Sequence, residues 1–371
     1  MIYWIIFLTL MYLLIGQYEK SSKKSYVLFF IILIAVYFST FRDGMGADYT
    51  AYKNFCESDM SKFGNWFLLE PFPMLIYNYC FYSKFSAIVF FFITSALTCV
   101  FSFWVYSRFK NFWISAFVFI TYTNLYLSSF NLVRQYVASS IILLGTYLFV
   151  IKKKSPMFFL FILFAFLWHK SAIICVFIYF LRTDKVNSVI WIAVIILSWI
   201  LPFNFITSTP FLGQVLELFE YSDYLTHNTV SYSRTSIVNL YMHVMVLFLL
   251  IKSKHYHKKQ FDGKNIFNLA LKLTIISIVF SNISANSLPF AYRFAMFFSP
   301  FIPILFSYLP SMSDKNISFV LVIIPIFILL MTVFALHIDD RIFCPQRILP
   351  IESIYDDKYK PYENPDYLIA N

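Results

Sequence analysis

The chain has 371 residues, of which 60% are hydrophobic and only 13% charged, against roughly 25% charged residues in a soluble domain. That balance excludes a large water-soluble domain. The formal net charge of +10 is dispersed along the chain in short clusters between apolar runs, so it reports membrane topology and not a nucleic-acid partner. A bilayer crossing takes about 20 residues, which leaves room for about twelve. The expected fold is an all-α polytopic membrane protein, residues 1–371 forming a single transmembrane domain in a lipid bilayer. With 7 Gly against 47 Phe and 27 Tyr, helices must meet through interdigitated rings more than through small-residue stripes.

Apolar runs lie near 1–16, 26–41, 86–107, 112–129, 132–151, 156–181, 186–203, 236–251, 265–284, 290–309 and 317–337. The first lacks a basic lead and a small-residue cleavage site, so it reads as a span and not a signal peptide. Basic clusters separate the runs: Lys20, Lys23 and Lys24; Arg108 and Lys110; Lys152 to Lys154; Arg182 and Lys185; and Lys252 to Lys264. Placing them in the cytoplasm puts both termini outside, together with segments 42–85 and 204–235 and the tail 338–371. Within the first of these, residues 67–84 open on Glu70, Pro71 and Pro73. A crossing there would carry the Arg108–Lys110 loop outside, so this segment reads as an interfacial or re-entrant helix. The run 156–181 is interrupted by Trp168-His169-Lys170-Ser171 and is expected to turn back, two short spans meeting at His169.

Cysteines show no metal-ligand spacing. Cys80, Cys99 and Cys175 lie in apolar stretches, where a thiol behaves as a small hydrophobe. Cys56 and Cys344 both fall outside, and an oxidising compartment would permit a disulfide between them.

Three stretches carry chemistry. In Phe41-Arg42-Asp43-Gly44-Met45-Gly46-Ala47-Asp48-Tyr49-Thr50-Ala51-Tyr52, an arginine leaves the membrane ahead of a glycine bend and an acidic, tyrosine-rich helix start. Two readings stand: Asp48 caps the helix and the tyrosines are interface aromatics, or Arg42 grips a lipid-linked phosphate while Asp48, Tyr49 and Tyr52 shape a sugar site. In Asn131-Leu132-Val133-Arg134-Gln135 an arginine opens an apolar helix. It either snorkels to the interface or lines a functional cavity, where Gln135 would hold a sugar hydroxyl. His169 is either a structural hydrogen-bond partner or a general base near neutral pH. Arg293 repeats the pattern of an arginine at an outer helix start. Guanidinium forks suit diphosphate oxygens, so an anionic ligand is the common denominator of Arg42, Arg134 and Arg293. No nucleotide loop, dinucleotide glycine pattern or metal motif is present, so no cofactor is expected.

Taken in order, these stretches resemble the EpsG family of Wzy-type polysaccharide polymerases. The matching residues are Arg42, Gly46, Asp48, Tyr49 and Tyr52, then Asn131, Arg134 and Gln135, then His169, Ser171 and Ala172, then Arg293, and finally Pro361 and Tyr362. Ala47 departs from the small hydroxyl residue the family often places between its glycine and aspartate. The resemblance implies a glycosyltransferase of the bacterial inner membrane, working at its outer face. Its substrates would be oligosaccharide repeat units on undecaprenyl diphosphate, and a chain-length regulator would be a further partner. It also implies Asp48, Arg134 and His169 as catalytic candidates, with Arg42, Tyr49, Tyr52, Gln135 and Arg293 binding substrate. Rival classes are a flippase for the same lipid, a related O-antigen ligase and a membrane O-acyltransferase. A flippase would show charges midway along several spans and two related halves, and neither is visible. An acyltransferase would meet its donor from the cytoplasm, whereas His169 threads outward.

Overall fold

The computed structural model describes residues 2–46, 48–59, 70–83, 86–109, 111–153, 155–182, 186–200, 242–247, 249–250, 263–286, 290–312 and 347–348. The segment 204–235, nearly all of the tail 338–371 with Cys344, Pro361 and Tyr362, and the run 317–337 lie outside the described residues. In chain order the helices are α1 (Ile2–Lys20), α2 (Lys24–Thr40), α3 (Tyr49–Glu57), α4 (Pro71–Ser83), α5 (Ile88–Tyr106), α6 (Phe112–Thr121), α7 (Val133–Lys152), α8 (Ser155–Trp168) and α9 (Ser188–Ile200). A 3-10 segment, Lys170–Arg182, follows α8, and α10 (Lys264–Asn286), α11 (Ala291–Phe298) and α12 (Ile302–Met312) complete the labelled set. A single two-residue ladder qualifies the all-α expectation: β1 (Arg42–Asp43) pairs antiparallel with β2 (Arg347–Ile348).

Among the described residues four stretches are long and apolar enough to cross a membrane: Ile88–Tyr106, Val133–Lys152, Lys264–Ser284 and Ala291–Pro310. The other apolar stretches, Tyr3–Tyr18 of α1 among them, run 10–17 residues, so the described residues carry the helical membrane class without reaching the twelve crossings that composition suggests. The last long stretch is built from α11, a short 3-10 turn and α12, with Pro300 in that turn.

Aromatic rings fill the core, as the glycine-poor composition requires. Phe7 of α1 stacks on Phe38 of α2 at 4.6 Å and on Tyr126 at 5.3 Å. The Tyr126 hydroxyl donates to the Ala35 carbonyl at 2.7 Å, so a polar tip is satisfied without leaving the core. One glycine does permit close helix approach. A Cβ at Gly145 of α7 would fall 2.6 Å from the Phe161 Cβ of α8, and α7 and α8 pack intimately.

The run 156–181 turns back at His169. Phe159 and Tyr179, equidistant from His169 in sequence, bring their rings within 5.1 Å, so α8 and the 3-10 segment form a hairpin with His169 at its tip. A 3-10 helix rises about 2.0 Å per residue against about 1.5 Å for an α-helix, which lengthens the short returning arm.

Lysines mark one end of this bundle: Lys20 closes α1, Lys152 closes α7 and Lys264 opens α10. Arg42 follows α2, Arg134 opens α7 and Arg293 opens α11. The motif residues therefore gather at the end opposite those lysines. Cys56 is a free thiol and is hydrogen-bonded to Cys80 of α4. That contact forms because α3 packs directly on α4; the other candidate partner, Cys344, lies outside the described residues.

Candidate functional site

The glycine bend after α2 is set by its neighbours. Gly44 and Gly46 have φ of 65° and 110°, a region that only glycine enters at little cost. A Cβ at Gly46 would lie 2.7 Å from the Phe130 carbonyl oxygen. The bend is thus pressed against the turn that leads into α7, and Asp48 is carried toward Arg134.

Arg42 is 1% exposed and lies inside the protein, away from any open rim. Its Nε donates to the Met45 carbonyl at 3.2 Å, its Nη1 to the Ser39 carbonyl and its Nη2 to the Phe130 carbonyl at 3.4 Å. The guanidinium lies 4.5 Å from the Phe91 ring centroid and 4.8 Å from that of Phe130. Carbonyl oxygens and aromatic faces thus compensate its charge, and each of its three nitrogens donates to the end of α2, to the bend or to the turn before α7.

Helix α3 turns one face inward at Tyr49, Tyr52 and Cys56, the i, i+3, i+7 spacing of a helical stripe. Tyr49 stacks on Phe91 at 5.0 Å with an interplanar angle of 8°. Tyr52 stacks on Phe90 at 5.3 Å, and its hydroxyl accepts a hydrogen bond from Arg134. The two tyrosines therefore pack inward, Tyr52 with its tip on the Arg134 guanidinium. Asp48 sits at the cap position of α3 but makes no cap hydrogen bond. Burial raises its carboxyl above the ordinary aspartate value, opposed by the charges of Arg293 and Arg134.

The centre of the cluster is a residue absent from the sequence-derived set. Glu70, 4% exposed, precedes α4 and reaches both the hairpin tip and α7. Its Oε1 lies 2.7 Å from Nδ1 of His169 and accepts the Lys170 backbone N–H at 3.2 Å. Its Oε2 is paired with Arg134. Burial alone would push this carboxyl up. Arg134 and His169, with the Lys170 amide, outweigh it and hold the pKa down to about 2, the pattern of a carboxylate with several hydrogen-bond donors. The signal for Glu70 was its isolation: an acid in an otherwise apolar stretch needs a cation, and Arg134 is among the few in the motifs.

His169 is buried, its ring stacked 6.0 Å from Phe297. With Nδ1 on a carboxylate, its Nε2 is buried without a hydrogen-bond partner. Gln135, 2% exposed, donates through Nε2 to the Arg293 carbonyl, while its Oε1 is likewise buried without a partner. An unpaired buried polar group costs about 1–3 kcal/mol, a cost that a ligand hydroxyl would remove. Arg293 is half-buried, and its charge acts on Asp48, Tyr52 and His169. Helix α11 is fixed by Ser277 of α10, whose hydroxyl donates to the Ala295 carbonyl at 3.0 Å. Tyr292 on the same helix donates to Asn124 Oδ1 at 2.9 Å.

The structure thus joins Arg134 and His169 through Glu70, places Asp48, Tyr52 and Arg293 within reach of their charges and Gln135 on the Arg293 backbone, and sets Arg42 and Tyr49 behind them as packing and loop supports. Among the described residues no group of three or more His, Cys, Asp or Glu side chains is arranged to hold a metal ion. The chain matches the EpsG family over residues 25–353. It belongs to the EpsG family. Members of that family are Wzy-type polymerases, and the match spans every element that contributes to the site. No curated protein and no solved structure matches the chain. As an EpsG-family protein of apolar helices, it is a membrane protein of polysaccharide biosynthesis with a polymerase-type, glycosyltransferase-like activity.

Proposed function

We propose that this EpsG-family protein joins oligosaccharide repeat units carried on undecaprenyl diphosphate, working at the outer face of the bacterial inner membrane. The growing chain is the donor. Its anomeric carbon–oxygen bond to the diphosphate breaks, the electron pair leaves with the diphosphate, and a hydroxyl of the incoming unit forms the new glycosidic bond. The leaving diphosphate supplies the driving force, which agrees with a sequence lacking any nucleotide-binding loop.

One observation carries this reading: Arg134 and Arg293 meet two acid–base candidates, Asp48 and His169, at the bundle end opposite the lysine-rich helix ends. Guanidinium groups placed where charge develops on a leaving group stabilise it most in a water-poor setting. The unpartnered Gln135 Oε1 and His169 Nε2 are acceptors suited to sugar hydroxyls. Arg42, buried and bonded to the backbone through all three nitrogens, holds the bend that carries Asp48 and takes no part in the diphosphate grip.

The test is genetic and chemical together. A strain lacking the chain, examined by gel for surface polysaccharide, is expected to carry single-repeat caps, and long chains should return with the wild-type gene. Loss of all repeats, single units included, would instead indicate a flippase or ligase and overturn the proposal.

A further inference from the structure

We infer that Glu70 is the positioning residue of the site, one carboxylate that aims His169 as the proton acceptor through Oε1 and anchors Arg134 through Oε2. This rests on the polymerase reading above and selects between its two candidate bases.

The argument is one of donors and acceptors. Ionised Glu70 only accepts, so Nδ1 of His169 must present its hydrogen to Oε1. In the neutral ring Nε2 is then a bare lone pair, and it is the atom left without a partner. A structural histidine would have both nitrogens satisfied; here one is fixed by a carboxylate and the other is held ready. The step balances: the acceptor hydroxyl gives its proton to Nε2, its oxygen bonds to the anomeric carbon, and the diphosphate leaves with the electron pair. The imidazolium so formed keeps its Nδ1–H on Glu70, whose negative charge stabilises it. Asp48 lies under the charges of Arg293 and Arg134 and, among the described residues, has no comparable orienting partner, so it serves the cationic side of the site.

The same carboxylate couples base and cation. Oε1 already accepts from Nδ1 and from the Lys170 amide, and Oε2 from Arg134. A glutamine cannot replace it, because an amide has one accepting oxygen and its NH2 would confront either Arg134 or His169. Glu70→Gln therefore disturbs one partner whichever way the amide turns.

The test uses full-length protein reconstituted with lipid-linked repeat units. His169→Ala should lower kcat by about 10²–10⁴-fold, the usual worth of a general base. Glu70→Gln should lower kcat at least tenfold, KM changing less, with the effects of the two substitutions less than multiplicative together, as for residues acting as a unit. The acid limb of the rate–pH profile should move to lower pH in Glu70→Gln, because the imidazolium has lost its carboxylate. A Glu70→Gln enzyme with wild-type kcat and pH profile, beside an inactive His169→Ala, would overturn the role of Glu70 and leave the polymerase intact. An active His169→Ala would overturn the choice of base. Wild-type protein that makes no polymer would sink the polymerase reading itself. Should Glu70→Gln fail to fold, nitrogen NMR of labelled wild-type protein decides, with His169→Ala used for assignment. A neutral His169 protonated at Nδ1 supports the inference, and one protonated at Nε2 refutes it.

Discussion

His169 Nδ1 lies 2.7 Å from Glu70 Oε1 although ninety-nine positions separate the two residues. Two unrelated local features make that contact. The helix breaks at His169, so the ring is presented at a hairpin tip and not along a helix face. Glu70 immediately precedes Pro71, the first residue of α4, where a missing amide hydrogen costs nothing. Both groups are thus delivered by chain ends of short helices, and Arg134, at the start of α7, closes the triad.

Arg134→Ala is expected to abolish polymer while leaving single-unit products. Two losses coincide, the cation proposed for the leaving diphosphate and the partner of a buried carboxylate. Breaking one side of a buried pair costs about 3–5 kcal/mol, so folding must be checked by size exclusion. Arg134→Lys keeps the charge and should fold. It loses the fork that meets Glu70 and the Tyr52 hydroxyl together, so chains should shorten without disappearing. Gel ladders of surface polysaccharide read both outcomes, and long chains at normal level from Arg134→Ala would remove it from the site.

Acid should weaken the protein through Glu70. Its folded pKa of about 2 lies below the ordinary glutamate value of 4.5, so the unfolded chain takes up this proton first. The stability it contributes is full above about pH 4.5 and is lost as pH falls toward 2, an effect on the order of a few kcal/mol. Thermal unfolding in detergent should show a falling midpoint across that window, and the fall should be smaller in Glu70→Gln. A midpoint equally steep in the variant would assign the acid sensitivity elsewhere. Asp48, raised by burial, acts with opposite sign and at higher pH.

The helical, membrane-embedded class was legible because apolar length decides it: α5 is a long run with no charge, and α7 and α10 are long apolar runs carrying two basic residues each. The turn at His169 was legible as well, since Trp168-His169-Lys170-Ser171 interrupts an apolar run too long for one span and too short for two ordinary ones. Arg134 and Arg293 announced themselves as cations at helix starts. Arg42 followed the same pattern but ends up solvated by carbonyls and rings, because burial depends on the Phe130 turn that packs over it. Glu70 was passed over because its isolation in an apolar stretch asks for a cation without naming one; neither Arg134 nor His169 lies near it in sequence. The contact of Cys56 with Cys80 was illegible for a similar reason, as it depends on Tyr49, Tyr52 and Tyr77 packing against Phe90 and Phe91.

Asp48→Asn separates the two readings of the motif's acid. A capping carboxylate replaced by a poorer partner lowers stability, Ala costing about 0.5–2 kcal/mol at such positions. Here the side chain makes no cap bond and burial works against its charge, so Asp48→Asn and Asp48→Ala should reduce polymer length without lowering the unfolding midpoint. A clear loss of stability with unaltered chains would return Asp48 to a structural role.

Gly46→Ala tests whether the bend itself is required. The position has a φ of 110°, costly for any residue with a Cβ by about 1–3 kcal/mol, and the added carbon would meet the Phe130 carbonyl at 2.7 Å and Asn131 Oδ1 at 2.9 Å. Relief demands moving the bend away from the turn before α7, which pulls Asp48 from Arg134 and strips Arg42 of its Phe130 contact. Gly46→Ala should therefore lower both the unfolding midpoint and polymer length. Gly16→Ala is the matched control: that glycine lies in α1 with nothing within 4 Å of the added carbon, and alanine there should leave polymer unchanged and be neutral or stabilising by up to about 1 kcal/mol. Equal effects from the two substitutions would mean that the Gly46 bend does not set the geometry of the site.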